Sequence, residues 1–70
     1  MEPHVERMFK EQTELCEKIE KLGEFISKNP IFDTLPKDEQ YDMKLQLGAM
    51  ELYSSILQHR LDRATSQQPN

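Results

Sequence analysis

The run Gln40–Arg63, QYDMKLQLGAMELYSSILQHRLDR, decides how this chain folds. At about 100° per residue, the turn of an α-helix, its apolar residues fall on two stripes rather than one. Met43, Leu47, Met50, Leu57 and Leu61 form one seam, stepping by four and three, with Ser54 as its one polar member. Leu45, Ala49, Leu52 and Ile56 form a second seam, beginning roughly 160° around the helix from the first. Between the seams lie Gln46, Tyr53 and Arg60, each seven residues from the last. Together these positions cover roughly 220° of the helix, whereas packing on one neighbour needs a stripe of about 100°. Lys44, Glu51, Ser55, Gln58 and Asp62 are left to face water. A helix this apolar requires more than one partner, and a chain of 70 residues has few of its own. The sequence therefore predicts a homo-oligomer larger than a dimer, with Leu45, Ala49, Leu52, Tyr53 and Ile56 at its interfaces.

Upstream, Val5, Met8, Gln12, Leu15, Ile19, Leu22 and Ile26 again alternate steps of three and four, and Phe9 and Cys16 widen the stripe. Gln12 interrupts it, and Thr13 beside it offers a local N-cap. The stretch reads either as one continuous helix or as a short N-terminal helix leading into a longer one. Lys28-Asn29-Pro30 ends it, because a residue before proline is pushed out of the helical region. Ile31, Phe32 and Leu35 give the connection apolar content that should plug the end of a hairpin. Pro36, Lys37, Asp38 and Glu39 then open the second long helix, with proline in its first turn and acids beside the positive dipole end. Gly23 and Gly48 sit inside helical pattern, either tolerated or admitting a close neighbour.

The expected fold is all-α: an antiparallel helical hairpin with a short N-terminal helix, assembling as a helical homo-oligomer. Its helices span about 4–28 and 36–64 of one domain covering 1–64, and 65–70 is a flexible C-terminal tail.

Composition agrees with recruitment of other copies. A single core of this size rarely supplies more than about 3–5 kcal/mol, so disulfides, metal or oligomerisation are usually added. Cys16 is the only cysteine, which excludes an internal disulfide and suits a reducing compartment. Two scattered histidines and one cysteine lack the spacing of a structural zinc site, so no metal or cofactor is expected. No signal-peptide pattern and no apolar run near the roughly 18 residues of a membrane span are present, which predicts a soluble protein of the cytoplasm. A net charge of −4 argues against a DNA or RNA polymer as partner, yet leaves room for a small anion held by a few placed cations.

Few residues are placed for catalysis. His4 lies near a terminus, His59 borders the polar face, and Cys16 reads as a small core residue. Glu11, Glu14, Glu17, Glu20 and Glu24 interleave with Lys10, Lys18 and Lys21 as a solvated face with local ion pairs. The exception is Gln46, Tyr53 and Arg60, polar or half-polar groups inside an apolar arc, where burial without partners is costly. They either bond and pack across an interface between chains or line a pocket there, where Arg60 and Arg63 meet phosphate and an aromatic face stacks on a base.

Leu15, Ile19, Leu22, Phe25 and Ile26, then Phe32 and Leu35, then Gln46, Met50, Tyr53, Leu57 and Arg60 form a pattern that resembles the helical-hairpin domain of small phage anti-CBASS proteins. These are cyclic-nucleotide sponges of the second anti-CBASS type, and a related hairpin occurs in a sponge acting against Thoeris immunity. The resemblance covers about residues 5–64 and is most distinctive in LQLGAMELYSSILQHRL. It implies a phage protein of the infected bacterial cytoplasm that holds second messengers made by CD-NTase enzymes without cleaving them. It also implies a homohexamer, each chain a short N-terminal helix plus an antiparallel pair. Cyclic dinucleotides such as 3',3'-cGAMP would lie between protomers, and cyclic trinucleotides at separate sites in some members. Lys28 is similar to a basic ligand-contacting position of that family. Where the family stacks an N-terminal tyrosine on a base, this chain has Phe9, with Thr13 close by. The contrasting expectation is a helical oligomerisation or adaptor module, whose excess apolar surface binds another protein.

Overall fold

The computed structural model describes residues 2–66. Its helices are α1 (Pro3–Lys28), α2 (Pro30–Thr34) and α3 (Lys37–Ser66), and no strand occurs among the described residues. Pro3 starts α1 where its missing N–H falls among groups that a helix leaves unpaired anyway. The Glu2 carbonyl accepts the Val5 and Glu6 amides at 3.0 and 3.1 Å.

The helix then runs unbroken to Lys28, so the short N-terminal helix expected from the sequence is not formed. Two local contacts explain why. Thr13 does not cap a new helix, because its Oγ1 donates back to the Phe9 carbonyl at 3.0 Å, one turn earlier. Gln12 does not break the stripe, because its amide is paired across the hairpin with Ser54. The short helix lies instead in the connection. Asn29 takes an extended conformation before Pro30, with φ −88° and ψ 121°, and so ends α1. Its side chain then accepts the Ile31 amide at 2.9 Å and caps α2. One residue terminates one helix and starts the next.

The connection closes that end of the molecule. Phe32 is buried and meets Phe25 edge-on, ring centroids 6.1 Å apart at 89°, with the Lys44 ammonium 5.9 Å above its ring. Gln40 is buried beside it, and its Nε2 donates to the Leu35 carbonyl at 2.8 Å and the Asp33 carbonyl at 3.5 Å. A connection without strands to pair its carbonyls uses this one amide to satisfy two of them. Ile31, expected to help plug the hairpin, points outward and is 58% exposed.

α3 lies antiparallel to α1. Val5, Met8 and Leu15 pack with Leu57 and Leu61, flanked by Ile19, Met50 and Ala64. These are the α1 stripe and the first α3 seam. α3 continues through Thr65 and Ser66, both placed in the tail by the sequence reading, and the Thr65 hydroxyl donates to the Leu61 carbonyl at 2.9 Å. Residues 67–70 of that expected tail lie outside the described residues. The Lys/Glu face of α1 forms no Lys–carboxylate ion pair among the described residues, where local pairs were expected; His4 Nδ1 lies 3.4 Å from Glu2 Oε2 at the start of the helix. Adding a Cβ at Gly23 or Gly48 would meet no heavy atom within 4 Å, so neither glycine admits a close neighbour within the chain. No described helix is long and apolar enough to cross a membrane.

The result is a rod of 53 × 15 × 15 Å whose buried apolar core is one layer thick. Leu57, fully buried at its centre, carries much of that layer. Leu57→Ala should cost about 2–5 kcal/mol in urea unfolding. A change below about 0.5 kcal/mol, the scale of an exposed position, would remove Leu57 from the core.

Candidate functional site

Packing α1 on the first seam leaves the second outside. Leu45, Leu52 and Ile56 remain 54%, 64% and 47% exposed, with Ala49 exposed between them. Arg60 and Arg63 follow Ile56 by four and seven residues, so helical spacing carries the strip onward into two exposed guanidinium groups. An apolar band ending in cations offers both contact area and charge to a partner that has an apolar or aromatic body and an anionic edge.

Tyr53 edges this band and ties it to α1. Its hydroxyl donates to Glu11 Oε1, across the hairpin. That bond to an acidic partner holds the phenol proton more firmly and raises the Tyr53 pKa above its ordinary 10.0. Desolvation and the charge of Glu11 push the same way, and the Arg60 guanidinium opposes them. A raised phenol pKa favours the fold fully below the ordinary value, and the contribution is lost as pH rises through the raised one. Gln46, the third member of that line, stays exposed, with its amide 3.9 Å from Met50 Sδ.

Lys28 stands at the opposite end, in an open cleft of about 480 Å³ lined by Lys21, Glu24, Phe25, Lys28, Asn29 and Pro30. Gln12 lies opposite Ser54, which puts Arg60 near the level of Glu6. At about 1.5 Å per residue, Lys28 is therefore roughly 33 Å along the axis from Arg60. Phe9, 40% exposed, and Thr13 lie toward the Arg60 end. One chain thus brings Phe9, Thr13, Arg60 and Arg63 to the same half of the rod and leaves Lys28 in the other.

Cys16 corrects its expected place in the core. It is exposed, at the rim of an open cleft of about 360 Å³ with Ile19, Glu20, Glu51, Ser54 and Ser55, its Sγ 4.0 Å from the Ser54 hydroxyl. No group of three His, Cys, Asp or Glu side chains among the described residues is placed to hold a metal. Sequence reasoning missed Glu11 as the partner of Tyr53, having read it as one acid of a solvated face. Its partner becomes visible only when the hairpin register is known. In a Tyr41→Phe background, ultraviolet titration of Tyr53 should move to lower pH on Glu11→Gln and to higher pH on Arg60→Ala; no movement with Glu11→Gln would break the Glu11–Tyr53 link.

No curated protein and no solved structure matches the chain. Residues 2–63 match the family described as Sequestin, a span that takes in α1, α2 and all but the last three residues of α3. The match agrees with the sponge family that the sequence resembles, and on it the chain belongs to the Sequestin family.

Proposed function

We propose that this protein sequesters cyclic oligonucleotide second messengers without cleaving them, and so keeps CBASS effectors of an infected bacterium inactive. The observation that carries the reading is the Sequestin match across residues 2–63, which spans both faces of the hairpin. The exposed strip of Leu45, Leu52 and Ile56, ending in Arg60 and Arg63, supports it. Covered by further copies in a homo-oligomer, hexameric in the resembling family, the strip would supply the apolar area that one hairpin does not bury. Cyclic dinucleotides, or cyclic trinucleotides at separate sites, would then lie between protomers. A sponge acts by mass action, so it needs abundance and affinity near nanomolar, about −12 kcal/mol.

The adaptor reading draws on the same exposed leucines and isoleucine, which would fit another protein. The two part on ligand. Cyclic dinucleotide at 100 times its dissociation constant should add about 2.7 kcal/mol to the melting free energy, and denaturing the complex should return the ring intact. An unmoved melt favours the adaptor, and linear dinucleotide in the extract would mark a nuclease.

Lys28 is the cation proposed to meet the ring, since it ends α1 in an open cleft beside the connection. Lys28→Ala should keep the sedimentation behaviour of the parent protein. It should weaken cyclic-dinucleotide binding roughly tenfold or more, the loss of one charge-assisted contact. Unchanged calorimetric affinity would leave Lys28 with the helix-end role of any terminal cation.

A further inference from the structure

α3 offers α1 two apolar seams, and α1 covers only the first. From Leu57 onward the choice is made by size and polarity, since Leu57, Leu61 and Ala64 lie on one side and His59, Arg60 and Arg63 on the other. Between Met43 and Ile56 that difference vanishes. There the first seam holds Met43, Leu47, Met50 and Ser54, and the second Leu45, Ala49, Leu52 and Ile56. The second contains no polar residue at all.

Gln12 is the one polar member of the α1 stripe, and Ser54 the one polar member of the first seam between Met43 and Leu61. They meet, and reciprocally. Gln12 Nε2 donates to the Ser54 carbonyl at 3.2 Å, and the Ser54 hydroxyl donates to Gln12 Oε1 at 3.3 Å. Gln12 Nε2 also reaches Gln58 Oε1 at 3.3 Å. Among the described residues, every side-chain hydrogen bond between α1 and α3 lies at this height, from Glu11, Gln12 or Cys16 to Tyr53, Ser54 or Gln58.

We propose that the Gln12–Ser54 pair sets the rotation of α3, so that its first seam faces α1 and its second is kept outside. Turning α3 by about half a revolution would place Gln12 against Leu52 and Ile56, with Ser54 carried to the far side. The half-buried amide would then lose its partners, a penalty that the first seam avoids while offering similar apolar contact. A polar residue in an apolar seam serves here as it does in a coiled coil, selecting one packing among several of similar apolar content. The device is independent of what the outer seam binds; it determines only that this seam is left available.

The native thiol provides the test. Cys16 shares its cleft with Ser55, whereas a half-turn of α3 would bring position 53 to it instead. Under mild oxidation, Ser55→Cys should form an intrachain disulfide with Cys16 and Tyr53→Cys should not, read by mass spectrometry after protease digestion. Adding Gln12→Leu should raise the Tyr53→Cys crosslink several-fold at the expense of the Ser55→Cys one. Because Leu at position 12 adds apolar surface to α1, the variant should stay helical by circular dichroism. As a second measurement, Ser54→Ala should lower the melting temperature, and Gln12→Leu added to it should restore stability. A crosslinking pattern unchanged by Gln12→Leu would overturn the proposal and leave the choice to Leu57 and Leu61. So would a Ser54→Ala variant that melts like the parent.

Discussion

α3 carries two apolar seams, and the chain supplies a single helix long enough to cover either. Everything else in the molecule follows from that shortage. Covering the first seam with Val5, Met8 and Leu15 yields a rod one side-chain layer thick, closed at one end by Phe32 and Gln40. The second seam remains in water as a strip of leucine, alanine and isoleucine. A thin core of this kind is marginal for a chain of 70 residues, and the exposed strip is the apolar area through which stability would be gained on association.

The polar layer halfway along the hairpin gives the arrangement its specificity. Apolar contact is non-directional, so two leucine-rich seams compete on area alone. Hydrogen bonds are directional, and an amide left unpaired is penalised wherever water is excluded. Gln12 and Ser54 place that penalty on the wrong packing, and Glu11 with Tyr53 adds a contact at the same level.

The helical stripes were legible because periodicity records burial directly: each residue from Val5 to Leu15 that packs in the core was on the stripe read from the sequence. The unbroken α1 was legible only as one of two readings. Gln12 looks like an interruption until Ser54 is placed opposite it, and that pairing depends on a register set by residues more than forty positions away. α2 was hidden for another reason. Five residues are too few to show a 3.6-residue period, and Asn29-Pro30 signals a stop and a start with the same two side chains. Cys16 marks the limit of stripe reading, since a residue on the edge of a stripe lies at the rim of a thin core instead of inside it. For the candidate site, sequence proposed the residues, whereas their distribution between the two ends of the rod required the fold.

That distribution bears on how an acidic protein would hold an anionic ring. Screening at physiological salt acts over about 8 Å, far less than the roughly 33 Å along the rod between Lys28 and Arg60. Within one chain the two cations therefore act as separate sites, each answering to its own neighbours and not to the net charge of −4. Lys28 shares its cleft with Lys21 and Glu24. Arg60 lies near enough to Tyr53 for its guanidinium to oppose the rise that Glu11 causes in the phenol's pKa. On the proposed function, a ring that uses both cations must span two chains packed with opposite ends together, whereas a ring using only one needs no such pairing. On that same reading, a rod with cations near both ends would offer neighbouring copies more than one way to bring charge around a ligand.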